Sequence, residues 1–181
     1  MMATVPDWSE NSANRRNDRA DYEKKPMTQE EVIEISKRMS EEAPKAAQKM
    51  IAASGQDPLE YSPLTRECMA ALIYGMLGAA SMEALGYHEW RWTGMEISII
   101  SITLLGVPVE QGVPLSQYLY ENSSKQRNPD LNVNIHQLIH YGLDLYYLLD
   151  QPDRLEKAVQ AILQACYKAF GTGEEGDQTV P

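Results

Sequence analysis

The chain has 181 residues, a length that suits one domain with a sizeable core. It carries 26 acidic residues against 16 basic ones, for a formal net charge of −10. A field of that sign repels nucleic acid and anionic membrane surfaces and attracts basic partners, so nucleic-acid binding is excluded as an expected function.

Three features of the sequence bear on where the protein works. The longest uncharged stretch in its middle, residues 68–82, is shorter than the roughly 20 residues that span a bilayer. No basic segment followed by an apolar one opens the chain, as a secretory signal would. Cys68 and Cys166 each stand among apolar neighbours, which favours free thiols in a reducing compartment. We therefore expect a cytoplasmic protein that does not enter a membrane.

The two ends of the chain differ in composition from its middle. Residues 1–27 are rich in Asn, Ser, Arg and Asp, and residues 171–181 are rich in Gly and Glu. Neither segment can bury enough apolar area to offset the entropy that is lost on ordering. We predict a disordered tail at each end and one acidic helical domain over residues 28–170.

The domain opens with a clearly marked helix. Thr28 and Glu31 form the pattern of a capping box, apolar residues follow at helical spacing, and Gly55 suits a C-terminal cap. Pro44 lies inside this pattern and predicts a kink or a split near Glu42.

The second predicted helix is apolar on nearly its whole circumference. Ser62 suits the N-cap, Pro63 the first turn, and the pattern runs to about Leu85. Small residues fill its interior, including Gly75 and Gly78, and they allow a neighbouring helix to approach closely. A helix that is apolar all round belongs at the centre of a bundle.

Four further helices complete an all-α fold, a single-domain bundle of about six helices. The pattern places them at about 89–105, 115–121, about 132–149 and 152–170. The β-branched run at 97–103 is also compatible with a strand, but its apolar spacing favours a helix. We predict a loop over 106–114 and a polar break over 122–130. The short link between the last two helices predicts antiparallel neighbours.

The strongest candidate for a contact site lies around the start of the third helix. Aromatic side chains and carboxylates cluster there in the composition of a binding hot spot. The candidate partner-binding residues are Glu83, Tyr87, Glu89, Trp90, Trp92 and Glu96. The alternative is that Trp90 and Trp92 anchor the helix in the core. Because residues two apart point about 200° apart on a helix, at least one of the two should face outward.

A second candidate face lies on the fifth helix. His136, His140 and Asp144 recur every four residues and share one side of the helix, with Tyr147 on the same side. A solvated polar face, a partner-contact face and a metal site are all compatible with that spacing. The glutamate of a metalloprotease motif is absent, as is any further ligand cluster, so we expect neither a metal nor another cofactor.

No catalytic set is recognisable in the sequence. Glu83, His88, Glu89 and Glu96 could in principle do acid–base chemistry, but no Glu is followed three positions later by His, as a di-iron bundle requires. A phosphate-binding glycine loop and a basic patch are also lacking. We expect no catalytic residue, and an enzyme of unknown type is kept as an alternative.

In general character, residues 28–170 resemble the small, acidic, all-helical immunity proteins of bacterial polymorphic-toxin and contact-dependent systems. The likeness rests on the capped opening at 28–31, the Gly- and Ala-rich central helix and the aromatic-acidic segment 87–96. It implies a protein that binds and neutralises a cognate toxin, often a nuclease whose basic cleft is blocked by carboxylates. The alternative is a chaperone or adaptor for a secreted effector, which would bind an extended segment in Met- and Tyr-rich grooves.

Overall fold

The computed structural model describes residues 27–123 and 134–170, which form one all-α domain. Its six helices are α1 (Gln29–Ser54), α2 (Pro63–Leu85), α3 (Trp90–Thr103), α4 (Val109–Ser123), α5 (Ile135–Leu145) and α6 (Pro152–Phe170). Two 3-10 helices, Pro58–Glu60 and Tyr146–Leu148, supplement them. The described part of the chain holds no strand, so the β-branched run of α3 is helical. The predicted tails, apart from Met27, and most of the predicted polar break lie outside the described residues.

The first helix has the predicted caps. The Thr28 backbone N–H donates to Glu31 Oε2 at 2.7 Å, and the Glu31 N–H donates to Thr28 Oγ1 at 3.2 Å. Gly55 ends the helix with a φ of 71°, in the left-handed region that favours glycine. The split predicted at Pro44 does not occur, because α1 packs along α2, α3 and α6 and these contacts hold its turns in place.

The second helix is the centre of the bundle, as predicted. It packs against α5, α3, α1 and α6, and most of its residues are buried. By length and composition alone α2 could cross a membrane, but 78% of its apolar window is covered by the bundle, as in the core helix of a globular protein.

Cys68 of α2 meets Cys166 of α6, and both are free thiols. The hydrogen bond between them and burial raise the pKa of Cys68, so its thiol stays protonated at neutral pH.

Helices α2 and α5 cross with their backbones in contact. A Cβ atom added to Gly75 would overlap the carbonyl oxygen of Ile139, and one added to Gly142 would overlap the carbonyl oxygen of Leu72. The two glycines therefore permit a closer approach than any other residue would allow. This crossing fixes where α5 lies on the central helix.

Three predicted boundaries and neighbours are corrected. The predicted loop over 106–114 is wrong from Val109 onward: α4 begins there and continues through Pro114, because Gly112 packs under the Ile102 side chain and its carbonyl accepts from Ser98 Oγ at 3.3 Å. The fifth helix ends at Leu145 rather than about 149 and gives way to the 3-10 helix. Helix α6 packs mainly against α1, not α5, since its apolar face turns toward α1.

Candidate partner-binding surface

The start of α3 presents one of its two tryptophans to solvent. Glu89 is the N-cap, and its carboxylate accepts from the Arg91 N–H at 3.2 Å. Trp90 is 46% exposed, with the Tyr120 ring centroid 5.1 Å from its own and the Arg91 guanidinium 5.1 Å from its centroid. The prediction that at least one tryptophan faces outward is confirmed.

Trp92 and Glu96 lie instead in the interface between α3 and α1. They are 6% and 4% exposed. Trp92 Nε1 donates to Ser40 Oγ at 2.9 Å, and Ser40 Oγ donates to Glu96 Oε1 at 2.5 Å. The helical spacing that turns Trp90 outward turns these two side chains inward, so burial removes both from the predicted partner-binding set.

The end of α2 meets the 3-10 helix that follows α5. Glu83 and Tyr87 are exposed, as predicted for contact residues. Burial, and next the Glu83 carboxylate, raise the pKa of Tyr146 to about 12, which places Glu83 beside that phenol. The Tyr146 ring packs edge-on against Tyr147 at 5.3 Å, and Tyr147 is exposed. Glu83 and Tyr147 therefore reach the same end of the bundle from different helices.

The second candidate face divides into a buried and an exposed part. His136 is 8% exposed, and its Nδ1 donates to the Asn122 carbonyl oxygen of α4 at 2.9 Å. This correction removes His136 from the surface: it joins α5 to α4. The His140 ring lies edge-on to it at 4.4 Å, but His140 itself is exposed. Asp144 is half-buried.

A cleft of about 100 Å³ joins the two candidate regions. His88, from the α2–α3 connection, and His140, from α5, both line it. The remaining lining residues come from α2, the end of α4 and α5; they are Tyr74, Gly75, Gly78, Ser123, Ile139 and Leu143. The α2–α5 crossing at Gly75 is the reason that residues about 50 positions apart in sequence meet here.

Two polar groups of the cleft, Tyr74 and His88, are uncharged at neutral pH. Tyr74 is fully buried, and its hydroxyl makes no hydrogen bond of ordinary geometry. Burial raises its pKa, and the nearby Ser123 hydroxyl partly opposes that shift. His88 is exposed as a residue, and its ring packs edge-on to Tyr74, at 6.2 Å between centroids. Burial of the ring lowers the pKa of His88, and the Glu89 carboxylate opposes that shift. The cleft therefore offers a phenol and an uncharged imidazole.

Sequence reasoning missed the cleft itself. Tyr74 sits in an otherwise small and aliphatic stretch of α2, which was the one local signal of a polar group in the core. Tyr120 and Ser123 join the site only through the packing of α4, and nothing in their own segment marks them.

Neither metal ligation nor similarity to known proteins adds to this geometry. Across 27–123 and 134–170, no three His, Cys, Asp or Glu residues are grouped so that they could hold a metal ion. Comparison of the chain with protein-family models, with curated protein sequences and with solved structures gives no match.

Proposed function

We propose that this protein is a non-enzymatic binding protein that captures a basic partner, namely a cognate bacterial toxin domain that it neutralises. The binding site is the surface around the cleft, called the cleft surface here and defined as Glu83, Tyr87, Trp90, His140 and Tyr147; of these, His140 lines the cleft itself. One observation carries the proposal: two regions singled out independently in the sequence border the same cleft, through His88 and His140.

The cleft surface has the composition of a protein-binding site. Tyr87, Trp90 and Tyr147 are all more than 40% exposed, and such aromatic side chains supply large contact areas at low entropic cost. Large aromatic residues left open to water by the fold are the usual anchors of an interface.

Unpaired negative charge favours a basic partner. The ion pairs within the described residues join Lys45 to Glu42 and Lys49 to Asp150, so neither Glu83 nor Glu89 takes part in one. With a net charge of −10, the molecule attracts a cationic surface, and carboxylates at the docking site raise the association rate above all.

A second candidate function is that of a chaperone for an extended, apolar segment of an effector. Exposed apolar side chains on the α3–α4 pair favour it. They are Met95, Ile99, Val109 and Val113. Helix α3 carries no exposed charge beyond Arg91, because Glu96 is buried. Such a surface suits an apolar segment better than a cationic one.

The decisive experiment is co-expression with the product of the neighbouring gene, followed by a toxicity assay and binding kinetics at two salt concentrations. We expect rescue from toxicity and binding to the folded toxin domain. Glu83→Lys should slow association about tenfold at low salt, and Glu34→Lys on α1, an identical charge change at another exposed position, should slow it much less.

Removal of the aromatic anchor tests the other half of the proposal. Trp90→Ala should leave association nearly unchanged and speed dissociation about 30-fold, the equivalent of about 2 kcal/mol. Equal slowing by both charge reversals, with no effect of Trp90→Ala, would refute the cleft surface as the site. Binding that is lost on Met95→Ser, and that prefers an unfolded segment, would establish the chaperone function instead.

A further inference from the structure

The cleft contains a polar group whose hydrogen-bonding capacity is unused. Tyr74 is fully buried and its hydroxyl has no partner, although nearly all buried polar groups in proteins have one. Leaving such a group unpaired is costly, and a hydrogen-bond donor that enters the cleft would pair the Tyr74 oxygen. This hydroxyl is therefore a specific reason to expect an occupant.

The other polar groups of the cleft are suited to accept hydrogen bonds. Ser123 Oγ donates its own proton to the Tyr120 carbonyl at 2.7 Å, which leaves its oxygen lone pairs to accept. A neutral imidazole offers one ring nitrogen as an acceptor, and burial keeps His88 in that form. With the Tyr74 oxygen, the cleft presents three acceptors, and no lysine or arginine of the described residues lines it.

The walls of the cleft are suited to an aliphatic chain. Gly75, Gly78, Ile139 and Leu143 form its apolar part. A lysine side chain has the matching form, since it carries three N–H donors on a stem of four methylene groups. Arginine fits less well, because its planar fork is matched by carboxylates and no carboxylate of the described residues lines the cleft.

We propose that the cleft between Tyr74, His88 and Ser123 binds the side chain of a lysine on the basic partner, the stem against Ile139 and Leu143 and the ammonium group on the three acceptors. The inference rests on the proposed function for the source of that lysine. An anionic occupant is disfavoured, because among the described residues no lysine or arginine lines the cleft and the molecule is strongly acidic.

A direct test uses Nα-acetyl-lysine methylamide as a probe and the full chain as the protein. We expect saturable chemical-shift changes at Gly75, Gly78 and His88 with a Kd of about 1 mM, as for a weak ligand of this size. The norleucine analogue has the same stem without the amine, and the glutamate analogue carries a carboxylate. Both should bind at least tenfold more weakly.

Two variants and a control locate the probe. Tyr74→Phe removes only the hydroxyl and should weaken binding about fivefold. Gly78→Leu should abolish it, because a Cβ at Gly78 would lie 3.4 Å from His88 Nε2 and the larger side chain would fill the cleft. Gly94→Leu makes the same insertion on α3, where nothing lies within 4 Å of an added Cβ, and should leave binding intact.

The outcomes separate this inference from the proposed function. No saturation by the lysine probe, equal binding of the norleucine or glutamate analogue, or unchanged binding to Tyr74→Phe would each overturn the lysine site. None of these results depends on a partner, so the cleft surface would still be tested by the toxin kinetics. Conversely, probe binding with no toxin binding would support the cleft site and refute the proposed source of the lysine.

Discussion

Glycine has opposite consequences in two parts of this molecule. At the α2–α5 crossing, Gly75 and Gly142 bring two backbones into contact and leave no space for a side chain. On α3, Gly94 has nothing within 4 Å of an added Cβ, and nearby Met95 is exposed. The first region is sealed by packing and positions the cleft. The second is open, and its surface is free to be used for contact.

The largest change in stability is expected when a methyl group is added at the α2–α5 crossing. Gly75→Ala should destabilise the fold by about 3 kcal/mol or more, since the added Cβ meets backbone that cannot rotate away. Gly94→Ala is the matched control and should stabilise by about 0.5–1 kcal/mol, because alanine favours the helix. Urea unfolding measures both. Similar stability of the two variants would contradict the contrast between a sealed and an open region.

A smaller loss is expected from the α1–α3 interface. Ser40→Ala removes the hydroxyl that accepts from Trp92 Nε1 and donates to Glu96 Oε1, so two buried groups lose their partner. We expect a cost of about 2 kcal/mol in the free energy of unfolding. Ser40→Thr keeps the hydroxyl and serves as the control. A neutral Ser40→Ala would show that water replaces the hydroxyl and that Glu96 is more accessible than its burial indicates.

The open surface should tolerate polar substitution. Met95→Ser and Ile99→Ser change side chains that are about half exposed, so each should alter the free energy of unfolding by no more than about 0.5 kcal/mol. Thermal unfolding with circular dichroism measures the change. A loss above about 2 kcal/mol from either variant would mean that this surface is covered in the folded protein.

The smallest effect concerns the titration of His88. Burial places its pKa below 6.5, and Glu89→Gln should lower it further because the opposing carboxylate charge is removed. The unfolded chain then binds the proton more readily than the folded one, so this contribution to stability is intact above pH 6.5 and is lost as the pH falls. NMR titration of the imidazole gives the values. A pKa that rises on Glu89→Gln would refute this arrangement of charges.

The sequence predicts the elements of this fold better than their arrangement. The capping box of α1, the central position of α2 and the helical identity of α3 all follow from local patterns. The start of α4 and the packing of α6 do not, because each depends on which surface a distant helix offers. Periodicity could indicate that one of Trp90 and Trp92 faces outward, but only the position of α1 decides which one.

The candidate site shows the same division. Composition drew attention to Tyr87, Trp90 and Tyr147, and all three are exposed. The two regions share a cleft because of the glycine contact at the α2–α5 crossing. The sequence indicates that Gly75 allows a helix to approach closely, but it does not say which helix.

Hydrogen exchange of the whole chain, with and without the product of the neighbouring gene, tests the central claim most directly. If the two regions form one binding site, the partner should slow exchange in residues 86–92 and in residues 140–147 together, while the exposed side of α1 is unaffected. Protection of only one of the two segments, or of α1 in place of both, would contradict the claim that the cleft surface is a single site.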